Sequence, residues 1–415
     1  MQKNGSVSPN APMPLAEARH RIVADLSPIT DVETVALADA HHRVLAQNIV
    51  SSVNVPSATN SSMDGYALCP GHDETRREFV RVGQSLAGHP FNQTLEAGQC
   101  VRITTGAVVP PGADRVVIQE NVVTQGNTVT IAADEDLPGV EANIRPAGED
   151  IAEQDTIFEA GRYVRAPDIA LMASIGQAHV KVLRRLRVAF FSTGDELRPI
   201  DGPLAAGEIY DSNRYGLAAM IADLGLEGVD LGAVGDDPAA LARAFDKAGD
   251  CDVLITSGGV SVGDADHVLD VLQARGTIDF WKVAIKPGKP LAVGLVGNTR
   301  FFGLPGNPVS TAVTFIQLVR PALVALAGGQ PAPALRFELP TTRALSKRAG
   351  REHYLRACIE TGPNGLCVTP VDHQGSGVMR SMSQANAFIV LPAETEHLDE
   401  DQPVSVEPFA QSVWQ

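Results

Sequence analysis

The sequence predicts a multi-domain α/β plus β chain: a three-layer α/β domain joined to two small β-rich domains and a mixed linking domain. Three observations predict it. Between residues 187 and 328, strand-like apolar runs alternate with helical segments, the order that builds a largely parallel sheet with helices on both faces. Short β-rich runs broken by turn residues fill residues 51–150 and return beyond Ala334. Glycine-rich loops follow apolar runs within the α/β part, where strands end and helices begin.

The bulk numbers agree. A chain of 415 residues holds roughly two to four domains, and an apolar fraction of 44% lets each build a core. The net charge of −16 disfavours nucleic acid or an anionic membrane as partner but leaves room for a local basic pocket. Met1 to Pro14 is polar and is no secretory signal. No run reaches the roughly 18 uninterrupted apolar residues of a membrane span, because Val309–Leu326 contains Gln317 and Arg320. Cys69, Cys100, Cys251, Cys358 and Cys367 are scattered, with no zinc spacing. They read as buried thiols of a reduced, cytoplasmic protein, although Cys358 and Cys367 could face each other across a hairpin.

The elements follow in order. Leu15, Ala18, Ile22, Val23 and Leu26 recur at helical spacing after Pro12 and Pro14, which predicts an amphipathic N-terminal helix. Val35 to Val50 reads as helical or mixed. Phe79–Val82, Cys100–Thr104, Arg115–Gln119 and Thr128–Ala132 are expected strands of the first β-rich domain, and Ile151 to about Val182 is mixed. In the α/β part strands are expected at Val188–Phe191, Val229–Val234, Asp252–Thr256 and Phe301–Leu304. One helix is expected over Ser212–Leu224, stopped by Gly225. Another starts at Asp237-Pro238, with Asp as cap and Pro at the first helical position. A third is expected over His267–Ala274, closed by Gly276, and a long one begins at Pro308 with Asn307 as cap. Later, His353–Ile359 and Leu366–Pro370 flank Gly362-Pro363-Asn364-Gly365, whose Asn-Gly is a hairpin signal, and Val404 to Phe409 is the last strand.

The chemistry sits in the loops. Ser257-Gly258-Gly259-Val260-Ser261-Val262-Gly263-Asp264-Ala265-Asp266 combines amides free to approach an anion with hydroxyls and carboxylates. Two acids beside an anion site point to a metal or to proton carriers; a strand-to-helix turn capped by Asp266 is the alternative. Glu196 and the Asp236-Asp237 pair follow strands in the same way, and Asp237 also reads as a helix cap. Lys282, Lys286 and Lys289 bracket a Pro-Gly turn stiffened by Pro287 and Pro290; they either offset an anionic ligand or are solvated. Ser62-Met63-Asp64-Gly65-Tyr66-Ala67 and Thr104-Thr105-Gly106-Ala107 are ordinary turns when taken singly. Gly375, Ser376, Gly377 and Arg380 suit a small oxyanion pocket or a connecting loop.

Taken together, these strings resemble the MoeA-type molybdopterin molybdenumtransferases, related to the E domain of gephyrin. The resemblance is carried by Ser62-Met63-Asp64-Gly65-Tyr66-Ala67, Thr105-Gly106-Ala107, Gly148-Glu149-Asp150, Ser192-Thr193-Gly194-Asp195-Glu196-Leu197, Ser257-Gly258-Gly259-Val260-Ser261-Val262-Gly263, Lys286-Pro287-Gly288-Lys289-Pro290 and Leu304-Pro305-Gly306-Asn307-Pro308-Val309-Ser310, in the family's order. Ser62 stands where many members have Ala.

The resemblance implies four domains: 27–50 plus 151–182 (linking), 51–150 (β-rich), 10–26 plus 183–330 (molybdopterin-binding) and 331–415 (C-terminal β). It implies a homodimer that takes adenylylated molybdopterin and molybdate, releases AMP and places molybdenum on the dithiolene, assisted by magnesium or zinc. Catalytic positions carry over onto Asp64, Thr105, Asp150, Glu196, Asp236 and Asp266, with Glu196, Asp236 and Asp266 at the metal. Substrate binding falls to Ser257, Gly258, Gly259, Ser261, Lys282, Lys286, Lys289, Pro305, Gly306, Asn307 and Pro308. Molybdate is assigned to Ser376 and Arg380 with Arg351 or Arg356, the last lying in an expected strand and so open to a structural role. In that family the Met-Asp-Gly-Tyr domain reaches the partner's active site, which puts Asp64 in trans. The upstream adenylyltransferase and recipient molybdoenzymes are implied protein partners. The competing readings are a molybdopterin adenylyltransferase, which would lack the extra β-domains, and a non-catalytic scaffold, for which no peptide groove is signalled.

Overall fold

Phe190 and Phe191 are neighbours in the strand Arg187–Thr193, both fully buried, and belong to different hydrophobic cores. Successive side chains of a strand point to opposite faces, so this strand lies in the middle of three layers. The computed structural model describes residues 12–235, 237–259, 271–272 and 274–409. The chain forms two compact units, Met1–Glu33, His42–Val44 and Val182–Gln415 making one and Thr34–His41 and Leu45–Lys181 the other.

In the first unit a six-stranded sheet runs in the order Glu227–Val234, Arg187–Thr193, Val253–Ser257, Thr299–Leu304, Pro290–Val296, Gly276–Lys282. The first four strands pair in parallel; Pro290–Val296 runs against them, and Gly276–Lys282 pairs antiparallel with Pro290–Val296. On one face Phe190, Ile255 and Phe302 pack with Leu15, Ala18 and Ile22 of helix Leu15–Ala24 and Leu217 and Ile221 of helix Ser212–Asp223. On the other face Phe191, Leu254 and Phe301 pack with Leu241 and Phe245 of helix Pro238–Ala248. The three-layer α/β expectation is met.

The helix starts show which local signals held. Asp237 caps its helix by accepting from the Ala240 N–H at 2.8 Å. Gly225 follows the helix Ser212–Asp223 with φ +71°. Asn307 occupies the cap position of Pro308–Thr314, but its side chain makes no capping bond. The Val309 N–H instead donates to the Ser376 carbonyl at 3.0 Å, so a distant loop supplies the acceptor. The stretch Pro308–Leu326, with a π-helical turn at Phe315–Val319, is apolar enough to cross a bilayer but is 72% buried within the protein, as a core helix must be. Strands Gly276–Lys282 and Pro290–Val296 were not expected; Gly276 opens a strand directly after the helical residues 274–275. Most of the helix expected at His267–Ala274 lies outside the described residues.

The C-terminal sheet of the same unit orders Ile285–Lys286, Glu352–Gly362, Ala387–Leu391, Pro403–Pro408 and Phe337–Pro340, with Gly365–Pro370 hairpinned onto Glu352–Gly362. Gly362 pairs with Gly365, so the turn expected over Gly362-Pro363-Asn364-Gly365 forms, with Pro363-Asn364 at its centre. Cys358 lies opposite Thr369 and Cys367 opposite Glu360, so the two thiols do not face each other. Cys100 and Cys251 are buried as expected, whereas Cys69, Cys358 and Cys367 are only half-buried.

The second unit is built on a six-stranded sheet in the order Arg115–Ile118, Gly65–Cys69, Gln99–Ile103, Glu78–Ser85, Thr128–Ile131, Val122–Gln125. Gly65 is required there, because a Cβ would stand 1.9 Å from the Val117 carbonyl oxygen. Arg115 is fully buried and held by Asp114 and Glu74 at 2.7 and 2.8 Å. The segment read as mixed contains a short 3₁₀ turn, Leu37–Asp39, and the strand Ile49–Val50, which pairs with Thr156–Phe158.

Candidate active site

The loops at the carboxyl ends of strands Arg187–Thr193, Val253–Ser257 and Thr299–Leu304 open onto one cleft of about 1230 Å³, which the Lys286–Pro290 turn, strand Glu352–Gly362 and loop 374–377 complete. All of these belong to the first unit. Gly258 makes the close approach possible. Its φ is +96°, and a Cβ would stand 2.5 Å from the Thr193 carbonyl oxygen.

Asn213, at the start of helix Ser212–Asp223, locks two loops together. Its Nδ2 donates to Ser257 Oγ and to the Gly306 carbonyl, both at 2.7 Å. Ser257 Oγ donates onward to the Pro305 carbonyl at 3.5 Å and is buried. The expected ligand-binding hydroxyl of Ser257 is therefore engaged inside the protein. Ser192, on the cleft lining, keeps a buried hydroxyl with no hydrogen-bond partner among the described residues.

The lining is cationic although the protein is acidic. Lys286, Lys289, Arg351 and Arg356 lie on it, against the carboxylates Glu196 and Asp211. Asp211 is buried and already paired with Arg214 at 3.1 Å. Arg356 is 1% exposed. Its Nε donates to Ser381 Oγ at 3.0 Å and an Nη to the Gly375 carbonyl at 3.2 Å, and no carboxylate pairs with it among the described residues. Burial pulls its guanidinium down to about 10. His353, beside Lys286 in the parallel pairing of Ile285–Lys286 with Glu352–Gly362, is pushed down to about 4 by burial and then by Lys286, Lys347 and Arg351. It is neutral near pH 7 and reports a local excess of positive charge.

Most of the expected binding residues meet on this lining: Glu196, Ser257, Gly258, Gly259, Lys286, Lys289, Pro305, Gly306, Asn307, Pro308, Arg351 and Ser376. Lys282 and Arg380 are exposed and are not on it. Ser261, Asp236, Asp264 and Asp266 lie outside the described residues. Among the described residues no three His, Cys, Asp or Glu side chains gather as a metal site. Asn213 and His353 were missed by the sequence reading. The polar string Asp211-Ser212-Asn213 was a signal for the first; nothing local distinguishes the second.

In the second unit, Thr105 donates to Asp64 Oδ1 through its N–H at 2.7 Å and its Oγ1 at 2.9 Å. The backbone bond first, then the hydroxyl, holds the Asp64 carboxyl below the usual carboxylate range. Two turns that were ordinary singly thus form one polar feature. Asp150 is exposed, and its N–H donates to the Val55 carbonyl at 3.0 Å.

The chain matches known proteins along almost its whole length. Residues 13–176 match the MoeA N-terminal region (domain I and II), residues 189–325 a probable molybdopterin binding domain, and residues 338–409 the MoeA C-terminal region (domain IV). A molybdopterin molybdenumtransferase of Haemophilus influenzae is 40% identical over 399 residues, covering 95% of this chain and 98% of the relative. One from Nostoc sp. is 36% identical, covering 92% and 91%. The crystal structure of a molybdopterin biosynthesis MoeA protein from Pyrococcus horikoshii superposes with a TM-score of 0.76 at 29% identity, covering 95% of this chain and 98% of that one. This chain belongs to the family of MoeA-type molybdopterin molybdenumtransferases.

Proposed function

We propose that the cleft of the first unit binds adenylylated molybdopterin and molybdate, that the phosphoanhydride is cleaved there with release of AMP, and that molybdenum is left on the dithiolene. The observation that carries this reading is Arg356, a buried guanidinium that lines the cleft without a carboxylate partner among the described residues. A desolvated cation is costly unless an anion joins it. Lys286, Lys289 and Arg351 extend the same field over a cavity large enough for more than one small anion. Both substrates are anions, and these residues offset their mutual repulsion.

Arg356 and Ser376 suit the oxyanion, and Lys286 and Lys289 with the Gly258 loop suit the phosphates. Glu196 is exposed on the lining with no ion pair among the described residues, and its hard oxygens suit magnesium. With Asp236 and Asp266 it would hold magnesium or zinc, which would neutralise charge developing on the phosphoanhydride. We further propose a cytoplasmic homodimer in which Asp64, Thr105 and Asp150 serve the cleft of the other subunit.

The test incubates the full chain with adenylylated molybdopterin, magnesium and molybdate, and measures AMP release and pterin-bound metal. Both are expected, and both fall together in Lys286→Ala. AMP release that does not depend on molybdate, with no metal on the pterin, would sink the reading.

A further inference from the structure

Cations and loop amides account for the charged parts of a pterin nucleotide, but not for its flat rings. A planar ring needs an apolar face, and aromatic side chains provide one at little entropic cost. Tyr210, His353 and Tyr354 are the aromatic side chains among the lining residues described. His353 is 5% exposed and Tyr354 0%, and the Tyr354 hydroxyl is bonded to Glu352 at 2.7 Å and Arg336 at 2.7 Å. Tyr210 is 42% exposed and has a ring surface to offer.

We propose that Tyr210 is the shelf on which this cleft receives a planar heteroaromatic ring of the substrate, adenine or pterin. The proposal rests on the reading of the cleft given above. Leu197 and Ile209 are paired residues of the short parallel ribbon Leu197–Arg198 with Ile209–Tyr210, and both line the cleft. Tyr210 pairs with Arg198 and so lies on the other face of the ribbon from that pair.

The shelf is held in place before any ligand arrives. Tyr210 Oη donates to the Gly202 carbonyl at 2.9 Å. Arg198 pairs with Glu208 at 2.7 Å, and Glu208 accepts from the Ala205 N–H at 2.8 Å. The Asp211 N–H donates to the Arg198 carbonyl at 3.1 Å. These bonds close the loop between the ribbon strands, so the ring needs little ordering on binding. Three residues after Tyr210, Asn213 fastens the Ser257 and Gly306 loops, which sets the shelf next to the anion loops.

The test is calorimetry on the full chain with three probes: AMP, ribose 5-phosphate and 6-hydroxymethylpterin. In Tyr210→Ala, a ring compound is expected to lose on the order of tenfold or more in affinity, while ribose 5-phosphate binds as before. Tyr210→Phe keeps the ring and is expected to stay within a few-fold of wild type for all three. Selective loss of AMP assigns the shelf to adenine; selective loss of 6-hydroxymethylpterin assigns it to pterin. If both ring compounds bind Tyr210→Ala as they bind wild type, or if Tyr210→Phe loses them as fully as Tyr210→Ala does, the shelf is overturned. If ribose 5-phosphate does not bind wild type but a ring compound does and depends on Tyr210, the shelf stands and the phosphate reading of the cleft fails. If none of the probes binds wild type, both are overturned.

Discussion

Gln317 Nε2 donates to Glu407 Oε1 at 2.6 Å, and both residues are buried. The bond ties the π-helical turn of the long core helix to the last strand of the C-terminal sheet. Arg336 holds the second oxygen of Glu407 at 3.0 Å and also donates to the Tyr354 hydroxyl, and Arg19 donates to Gln317. This network keeps strand Glu352–Gly362, with Arg356, against the α/β layers.

Replacing Gln317 leaves one oxygen of a buried carboxylate unpaired. Gln317→Leu is expected to cost about 1–3 kcal/mol, read as a lower urea midpoint. A change smaller than a few tenths of a kcal/mol would mean that the network does not hold the sheet in place.

Arg356 has the opposite profile. As a buried cation without a carboxylate partner among the described residues, it is expected to add little to stability and, on the proposed function, much to anion affinity. Arg356→Gln is expected to keep or raise the melting temperature while weakening molybdate binding on the order of tenfold to a hundredfold. Calorimetry and a thermal melt decide it together; a strongly lowered melt with unchanged binding would mark Arg356 as structural.

His353 links stability to pH. Its imidazole is lowered from 6.5 to about 4 in the folded state, so the unfolded chain binds more protons between those values. Its contribution is complete above pH 6.5 and is lost as pH falls towards about 4. Urea titrations of wild type and His353→Gln are expected to differ in slope within that window and to run parallel above it. Parallel curves throughout would remove the linkage.

Asp64 offers a test of subunit sharing. Asp64→Ala and Lys286→Ala are each expected to lose turnover, and mixed subunits unfolded and refolded together are expected to regain part of it, because one site of each mixed dimer is then intact. No recovery in dimers shown to be mixed would place Asp64 in its own subunit's chemistry.

Much of the fold was legible along the chain. The alternating strands and helices of the α/β layers, the Asp237 cap, the Gly225 stop and the β-rich runs all depend on residues within a few positions of one another. The antiparallel strands Gly276–Lys282, at the sheet edge, and Pro290–Val296, between it and Thr299–Leu304, were not legible, because strand propensity depends on the neighbours a segment pairs with.

The same division runs through the site. Its loop chemistry, Gly258-Gly259 and the lysines about Pro287, was written in the sequence by itself, since backbone freedom and side-chain charge are local properties. Tertiary structure alone decided that Ser257 spends its hydroxyl on Pro305, that Ser376 takes the capping role expected of Asn307, that Arg380 stays off the lining, and that Arg356 is desolvated on it. Burial and hydrogen-bond partnership are set by groups far along the chain, and no local pattern encodes them.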